Sequence, residues 1–139
     1  MSLNLIQDIK DMHKQFGVKS KVASLPPEQL REFLNFRFRM LEEELIHEGK
    51  KAVAEGNPEE VVDSLIDLVV VALGTLDAFE VDAQTAWDEV LRANLCKKPG
   101  VKESRPNPFG LPDLIKPKGW KAPDHAGNYG IIPKAYEEN

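Results

Sequence analysis

Apolar residues recur every three or four positions through the first two thirds of the chain, the spacing of one face of an α-helix. A first helix is predicted to end at Gly17, and its apolar positions are Leu5 or Ile6, Ile9, Met12 and Phe16. A second helix is predicted to begin near Pro26 or Pro27, with Ser24 as its candidate cap. It runs to about Glu55, and its apolar face is formed by Leu30, Phe33, Leu34, Leu41 and Leu45.

A third helix is predicted from about Pro58 to Phe79, because Asn57, Pro58 and Glu60 form a capping signal at its start. Its segment LVVVAL is apolar on every side, which a half-exposed helix would not tolerate. Burial in a bundle or in a subunit interface would explain this run. Asp82 is the candidate cap of a fourth helix, whose apolar positions are Ala86, Val90, Leu91 and Ala93.

The chain changes character near residue 97, after which most of its prolines and glycines occur. These residues oppose regular structure. The segment still carries many large apolar side chains, so we expect an extended tail that packs on the core or on a neighbouring subunit. The predicted fold is therefore all-α. An antiparallel helical hairpin lies at the centre of a four-helix bundle-like core at 1–98, followed by a Pro/Gly-rich tail at 99–139, and the apolar third helix favours a homodimer or homotetramer.

Composition narrows the class of protein. The formal net charge of -5 argues against a nucleic-acid partner, which usually requires a basic surface. The longest uncharged run, from Leu68 to Leu76, is too short to span a bilayer, so no membrane partner is expected. The single cysteine, Cys96, allows no intrachain disulfide. A cytoplasmic location is the expectation.

Four acids occur at matching intervals on the second and third helices. Glu44 and Glu48 are four residues apart, as are Asp63 and Asp67, so each pair lies on one helical face. The short turn EGN makes the two helices antiparallel neighbours, which places residue 44 opposite 67 and residue 48 opposite 63. The four carboxylates are therefore predicted to form a square between the helices.

Such a square requires compensation, because clustered carboxylates repel one another and lose hydration. The only lysines of the hairpin, Lys50 and Lys51, lie beyond Glu48 toward its turn. A hard divalent cation, Mg²⁺ or Mn²⁺, fits an all-oxygen ligand set better. Glu44 and His47 also have the Glu-x-x-His spacing of di-iron bundles, but that site uses the motif twice and here it occurs once. His13 and His125 have no partner that the sequence identifies.

Three segments give the chain a family resemblance. LEEELIHEGKKAVAEGNPEEVVDSLIDLVVVALGT is similar to the metal-binding helix pair of the all-α nucleoside triphosphate pyrophosphohydrolases, the MazG-like and phosphoribosyl-ATP pyrophosphohydrolase-like proteins. VLRANLCK resembles their Asn-x-x-Lys segment, and IKPKGWKAPD resembles their C-terminal Lys-Pro-x-Gly-aromatic motif. The chain departs from the usual Glu-x-x-Glu spacing, since His47 follows Glu44 at the third position. Ser64 stands three residues before Asp67, where many members have Glu.

The resemblance to the short, phage-type members implies hydrolysis between the α- and β-phosphates of a nucleoside triphosphate, giving a monophosphate and pyrophosphate. For a phage-encoded chain the compartment would be the host cytoplasm. Such chemistry needs charge neutralisation and a positioned water. Glu44, Glu48, Asp63 and Asp67 are the predicted metal ligands, and Glu43 or Glu48 is the candidate general base. The candidate substrate contacts are Asn94, Lys97, Lys98, Arg105, Lys116, Lys118 and Trp120.

Substrate choice is left open by the residues. Guanine, in dGTP or GTP, is the preferred base because purine-preferring members resemble this chain. The alternatives are a house-cleaning activity on dCTP, dUTP or a modified nucleotide, and a helical oligomer that binds a cation without catalysis.

Overall fold

The computed structural model describes residues 4–102, 109 and 113–138, except for the side chain of Glu44. The chain divides into two compact units, one formed by Met1–Ala83 with Tyr129–Asn139 and the other by Gln84–Asn128. The fold is all-α, as predicted, and the described residues include one small antiparallel sheet. The division between 98 and 99 stays a prediction.

The helices begin and end near the predicted signals, but a π-helical segment divides the second predicted helix into α3 and α4. Gly17 ends α1 and Gly56 ends α4, both in the left-handed conformation that favours glycine. Asn57 caps α5, because its side chain accepts a hydrogen bond from the Glu60 backbone N–H. The helices are α1 (Leu5–Phe16), α2 (Val18–Ala23), α3 (Pro27–Arg39), a π-helical segment (Met40–Ile46), α4 (His47–Glu55), α5 (Pro58–Ala78) and α6 (Ala83–Leu95).

The prediction that Ser24 caps the second helix is wrong. Ser24 instead ends α2, a short helix that the sequence analysis missed, and its hydroxyl donates to the Lys21 carbonyl. Pro26 occupies the N-cap position of α3, where no side chain makes the capping hydrogen bond. Pro27 follows at the first helical position, which tolerates proline because the amide lost there has no intrahelical partner. The fixed backbone angle of proline therefore starts α3.

The core of the first unit lies where α2, α3 and the end of α5 meet. Leu30, Ala78 and Phe79 are almost completely buried there, and the ring of Phe33 packs against that of Phe79 with centroids 5.8 Å apart. The last residues of the chain join this core through a 3₁₀ helix (Ile132–Tyr136), in which Ala135 is fully buried. Part of the predicted tail thus packs on the helices of its own chain.

The apolar faces differ from the prediction at two helices. In α1, Ile9 and His13 are buried, whereas Phe16 is 65% exposed, so the buried face is rotated toward His13. Within the LVVVAL run of α5, Val71 is buried, but Val69 is 40% exposed. The expected burial of the third helix is therefore incomplete within one chain.

The second unit contains most of α6 and a two-stranded sheet. Strands β1 (Lys98–Gly100) and β2 (Asp113–Ile115) are antiparallel, and Lys98 lies opposite Ile115. The predicted extended tail thus contains short regular elements, β2 and the 3₁₀ helix. In the part of the chain that the structure describes, no helix has the length and hydropathy needed to cross a membrane.

Candidate functional site

The acids of the second predicted helix lie in an irregular part of it. Glu42, Glu43 and Glu44 belong to the π-helical segment Met40–Ile46. Such turns are rare and occur frequently at functional sites. The wider turn also removes the α-helical spacing that would align Glu44 with Glu48. Because the side chain of Glu44 lies outside the described residues, its place beside Glu48 stays a prediction.

Helices α4 and α5 approach each other closely at Gly49 and Ser64. A Cβ atom on Gly49 would lie only 3.1 Å from Ser64 Oγ, so the small residues permit this approach. Ser64 is buried, and its hydroxyl donates to the Val61 carbonyl of its own helix. The contact lies within about one helical turn of the register predicted from the sequence. It therefore gives a reference point for locating the acids.

Glu48 and Asp63 each precede a residue of this contact by one position. One residue turns a side chain by roughly 100° about the helix axis. In an antiparallel pair, one step back along each chain turns both side chains to the same side of the plane that holds the two axes. Glu48 and Asp63 therefore lie on one side of the hairpin, and Asp67, three residues after Ser64, lies there too. We call this side the acidic side.

The acidic side is open to solvent rather than internal. Glu48 and Asp63 are exposed and Asp67 is half-buried, which differs from the predicted position between the helices. Among the described side chains, a set that leaves out Glu44, no three His, Cys, Asp or Glu residues form a group that could hold a metal ion. Glu43 is exposed as well. The four-carboxylate square stays a prediction, and the described acids have room to change rotamer.

The opposite side of the hairpin is apolar. A groove of about 400 Å³ is lined there by Leu45, Ile46, Gly49, Lys50, Val53, Val61, Ser64, Leu65 and Leu68. Counting from Gly49 and Ser64, Ile46, Val53 and Leu68 turn away from the acidic side. The hairpin thus carries Glu48, Asp63 and Asp67 on the side opposite this groove, whose one charged lining residue is Lys50.

Trp120 lies beside two of the predicted phosphate contacts of the second unit, Lys97 and Lys116. Its indole Nε1–H donates to the Ala93 carbonyl at 2.7 Å. The Nζ atoms of Lys97 and Lys116 lie 5.3 and 5.0 Å from the indole ring centroid. Both distances are within the range of a cation–π interaction, so two ammonium groups lie at one aromatic ring. Trp120 is therefore a scaffold for the two lysines.

Further contacts hold the segment around Trp120 to α6. Arg92 donates to the carbonyl of Ala122 at 3.3 Å, and the Asp124 backbone N–H donates to Glu89. The hydrogen bond from Arg92 and that from the Asp124 amide lower the pKa of Glu89. The segment IKPKGWKAPD is thus tied to the helix that carries Asn94. Each of these contacts lies within the second unit.

The other predicted contacts of this unit are less constrained. Asn94 is exposed, and its backbone carbonyl accepts a hydrogen bond from the Lys97 amide at 3.1 Å. Lys98 and Lys118 are exposed, the former on β1 and the latter in a turn before Gly119. Arg105 lies outside the described residues. Their roles as substrate contacts stay predictions.

The comparison with protein families decides the class of protein. The family described as phosphoribosyl-ATP pyrophosphohydrolase matches residues 9–94, well over half of the chain. The chain belongs to the phosphoribosyl-ATP pyrophosphohydrolase family. No curated protein matches the chain significantly. Membership makes the protein a pyrophosphohydrolase of nucleotides, a hydrolase that acts on acid anhydrides.

The family match contains all four predicted metal ligands and ends at Asn94. It also contains the Gly-Thr pair that follows the apolar run, and the structure gives this pair a packing role. Arg37 Nε donates to Thr75 Oγ1 at 2.9 Å and Arg37 Nη2 donates to the Val71 carbonyl at 3.2 Å. A Cβ atom on Gly74 would lie 2.8 Å from Arg37 Nη2, so glycine leaves space for the guanidinium. Burial lowers the pKa of the Arg37 guanidinium.

Sequence reasoning missed the pairing of His13 in this phosphoribosyl-ATP pyrophosphohydrolase-family chain. The ring Nδ1 of His13 lies 2.7 Å from Asp77 Oδ2, and both residues are 5% exposed. Lys19 Nζ lies 3.8 Å from the other oxygen of Asp77. The available signal was the position of His13, which lies four residues after Ile9 and therefore on the same apolar face of α1. Asp77 lies 64 positions away, and only the fold brings it near.

Proposed function

We propose that the protein is a metal-dependent nucleoside triphosphate pyrophosphohydrolase, which cleaves between the α- and β-phosphates to give a monophosphate and pyrophosphate. The observation that supports the proposal is the acidic side of the α4–α5 hairpin, toward which Glu48, Asp63 and Asp67 all turn. This side lies within the region that matches the pyrophosphohydrolase family. A hairpin with acids on one side and an apolar groove on the other supports ion binding at a defined surface.

The donor set fits Mg²⁺ or Mn²⁺. Glu44, Glu48, Asp63 and Asp67 would supply carboxylate oxygens, the ligands that hard divalent cations prefer. Glu48 and Asp63 are exposed, so their side chains can turn toward a shared ion without repacking the core. When bound, the metal would neutralise phosphate charge and lower the pKa of a water molecule.

The carboxylates have separate tasks in the proposed reaction. Asp63 and Asp67 share one face of α5, next to its apolar segment. Their proposed task is to hold the metal ion in place. Glu48 or Glu43 accepts the proton of the attacking water as general base. Glu43 lies in the π-helical segment, whose altered turn directs its side chain differently from an α-helix.

The described candidate substrate contacts all belong to the second unit. Lys97 and Lys116, gathered at Trp120, are the foremost phosphate contacts because ammonium groups bind phosphate as point charges. Asn94, Lys98, Arg105 and Lys118 remain further candidates. Because ammonium groups occupy its ring and Ala93 accepts its N–H, Trp120 acts chiefly by holding the lysines. A deoxynucleotide with a guanine base, dGTP, is the proposed substrate, with GTP next.

Turnover of the eight common ribo- and deoxynucleoside triphosphates tests this proposal. With Mg²⁺ or Mn²⁺ we expect hydrolysis that a chelator abolishes, with dGTP or GTP fastest. Fastest turnover of dCTP, dUTP or a modified nucleotide would keep the activity and replace the base assignment. Metal binding without turnover would contradict the proposed enzymatic activity and favour a non-catalytic metal-binding oligomer.

We also propose that the protein is a homodimer or homotetramer. The solvent-facing strip of α5 that contains Val62, Leu65, Ile66 and Val69 has the spacing of one helical face, and all four side chains are exposed. A long apolar strip on one helix is typical of an interface rather than of a monomer surface. A second copy that supplies the same strip would cover it.

Ile66→Glu is expected to shift the assembly to monomers. The substitution buries an unpaired charge in the interface, which costs several kcal/mol. Light scattering coupled to size-exclusion chromatography measures the mass. Gln29→Glu adds the same charge to an exposed position of α3 and should leave the mass unchanged. A wild-type protein that is monomeric at micromolar concentration would contradict the proposal.

A further inference from the structure

A second group of charged residues, separate from the acidic side, surrounds a cavity at the junction of α1 and α2. Lys10, His13 and Lys14 share one face of α1, since they are three and four residues apart. The turn at Gly17 brings Lys19 and Ser20 of α2 beside them. Together these residues line a cavity of about 450 Å³, which we call the α1–α2 cavity.

The charges of the α1–α2 cavity do not balance. Asp77 carries the carboxylate that contacts its lining, and this carboxylate is held by the buried His13 ring and by Lys19. Neither Lys10 nor Lys14 forms an ion pair with any residue that the structure describes. Three ammonium groups thus line the α1–α2 cavity, and the carboxylate of Asp77 contacts this lining. The local positive charge contrasts with the net charge of -5 of the whole chain. A concave surface of one sign focuses the field and attracts counter-ions.

The helix dipole accounts for part of this pattern only. Basic side chains in the last turn of a helix are stabilised by its free carbonyl groups, which explains Lys14. Lys10 lies a turn earlier, and Lys19 belongs to the next helix. Their convergence on one cavity needs another reason, and an anion that bonds to several ammonium groups supplies it.

We propose that the α1–α2 cavity binds a phosphate-class oxyanion, either orthophosphate or pyrophosphate. Lys10, Lys14 and Lys19 would contact its oxygens. Ser20, whose hydroxyl is 3.2 Å from the Gly17 carbonyl, lies on the same wall. The inference rests on α1, α2 and Asp77 alone, so it stands whether or not the acidic side is catalytic.

The α1–α2 cavity is distinct from the acidic side. Asp77 lies ten residues after Asp67 on the continuous helix α5, which separates them by about 15 Å along the axis. One phosphate group cannot reach both positions in one chain. The anion of the α1–α2 cavity is therefore a second ligand rather than the phosphate held at the proposed metal site.

Calorimetric titration of the full chain with orthophosphate and with pyrophosphate tests the inference. The buffer contains a chelator, so that the acidic side binds no metal, and salt near physiological strength, so that weak surface attraction is screened. Pyrophosphate should bind more tightly than orthophosphate because it offers more charge. Lys10→Gln with Lys14→Gln should weaken binding by about 10-fold or more, since it removes two charge-assisted contacts.

The matched control removes the same charge elsewhere. Lys21 and Lys50 are exposed and do not line the α1–α2 cavity, so Lys21→Gln with Lys50→Gln should leave the affinity within about 2-fold, as for screened surface charges. Ser20→Asp places a carboxylate in the cavity and should abolish binding. Equal weakening in both double variants, retained binding in Ser20→Asp, or no binding of either anion by the wild type would overturn the inference.

Discussion

Replacement of Asp67 by Asn is expected to lower Mg²⁺-dependent turnover by at least about 100-fold, since even outer-shell changes at metal sites cost 10–100-fold. The change removes one ligand charge and preserves the volume of the side chain. Because Asp67 is half-buried on the acidic side of α5, the helix content and the free energy of unfolding should change little. Steady-state kinetics over a range of Mg²⁺ concentrations measures both the maximal rate and the metal affinity.

Glu59→Gln is the control on the same helix. Glu59 is an exposed acid in the first turn of α5, so its loss removes a favourable interaction with the helix dipole and leaves the acidic side intact. Turnover should remain near that of the wild type. Retained activity in Asp67→Asn, or equal loss in both variants, would contradict the assignment of Asp67 as a ligand.

Gly130→Ala is expected to release the C-terminal segment from the core of the first unit. Gly130 has a φ of +53°, and a Cβ atom there would lie 2.6 Å from the carbonyl carbon of Glu80. The next residue, Ile131, donates its backbone N–H to the Phe79 carbonyl at 2.8 Å. The left-handed angle costs alanine about 1–2 kcal/mol, and the collision with backbone adds about 1–3 kcal/mol. Denaturant unfolding measures the loss in free energy of unfolding.

Gly127→Ala separates the two costs. Gly127 has a φ of +78°, but no heavy atom lies within 4 Å of the position of an added Cβ atom. It should therefore lose only the amount due to the backbone angle, about 1–2 kcal/mol. Equal losses of unfolding free energy in the two variants would contradict the steric cost that we expect from the close approach of Gly130 to Phe79 and Glu80.

The helices were predictable because their signals are local. Gly17 and Gly56 adopt the positive φ angles that end helices, and Asn57 makes the capping bond that its position before Pro58 suggests. The apolar face of α3 was also correct, with Leu30 and Leu34 buried. Each of these features depends on residues within one helical turn, where the sequence pattern carries the information.

The features that were missed depend on contacts between distant residues. The π-helical segment has the apolar spacing of an ordinary helix, so no pattern distinguishes it. His13 was left without a partner because Asp77 follows an apolar run that is far along the chain. Thr75 belongs to a recognised motif, but its bond with Arg37 required the packing of α3 against α5.

The candidate site was predictable in part. Spacing on α5 correctly placed Asp63 and Asp67 on one helical face, and the turn after Glu55 correctly made α4 and α5 a hairpin. The exposure of Glu48 and Asp63 was not foreseen, since the apolar run beside Asp67 suggested burial. In the second unit, the two lysines at Trp120 come from segments separated by a sheet, and neither spacing nor composition indicates that they meet.

Cleavage between the α- and β-phosphates is tested most directly by the identity of the products. These are monitored by ³¹P nuclear magnetic resonance during Mg²⁺-dependent hydrolysis of the nucleoside triphosphate that is turned over fastest. Nucleoside monophosphate and pyrophosphate are expected from the first turnover, without a diphosphate intermediate. Nucleoside diphosphate with orthophosphate would contradict this expectation, because water would then attack the terminal phosphate rather than the α–β bond.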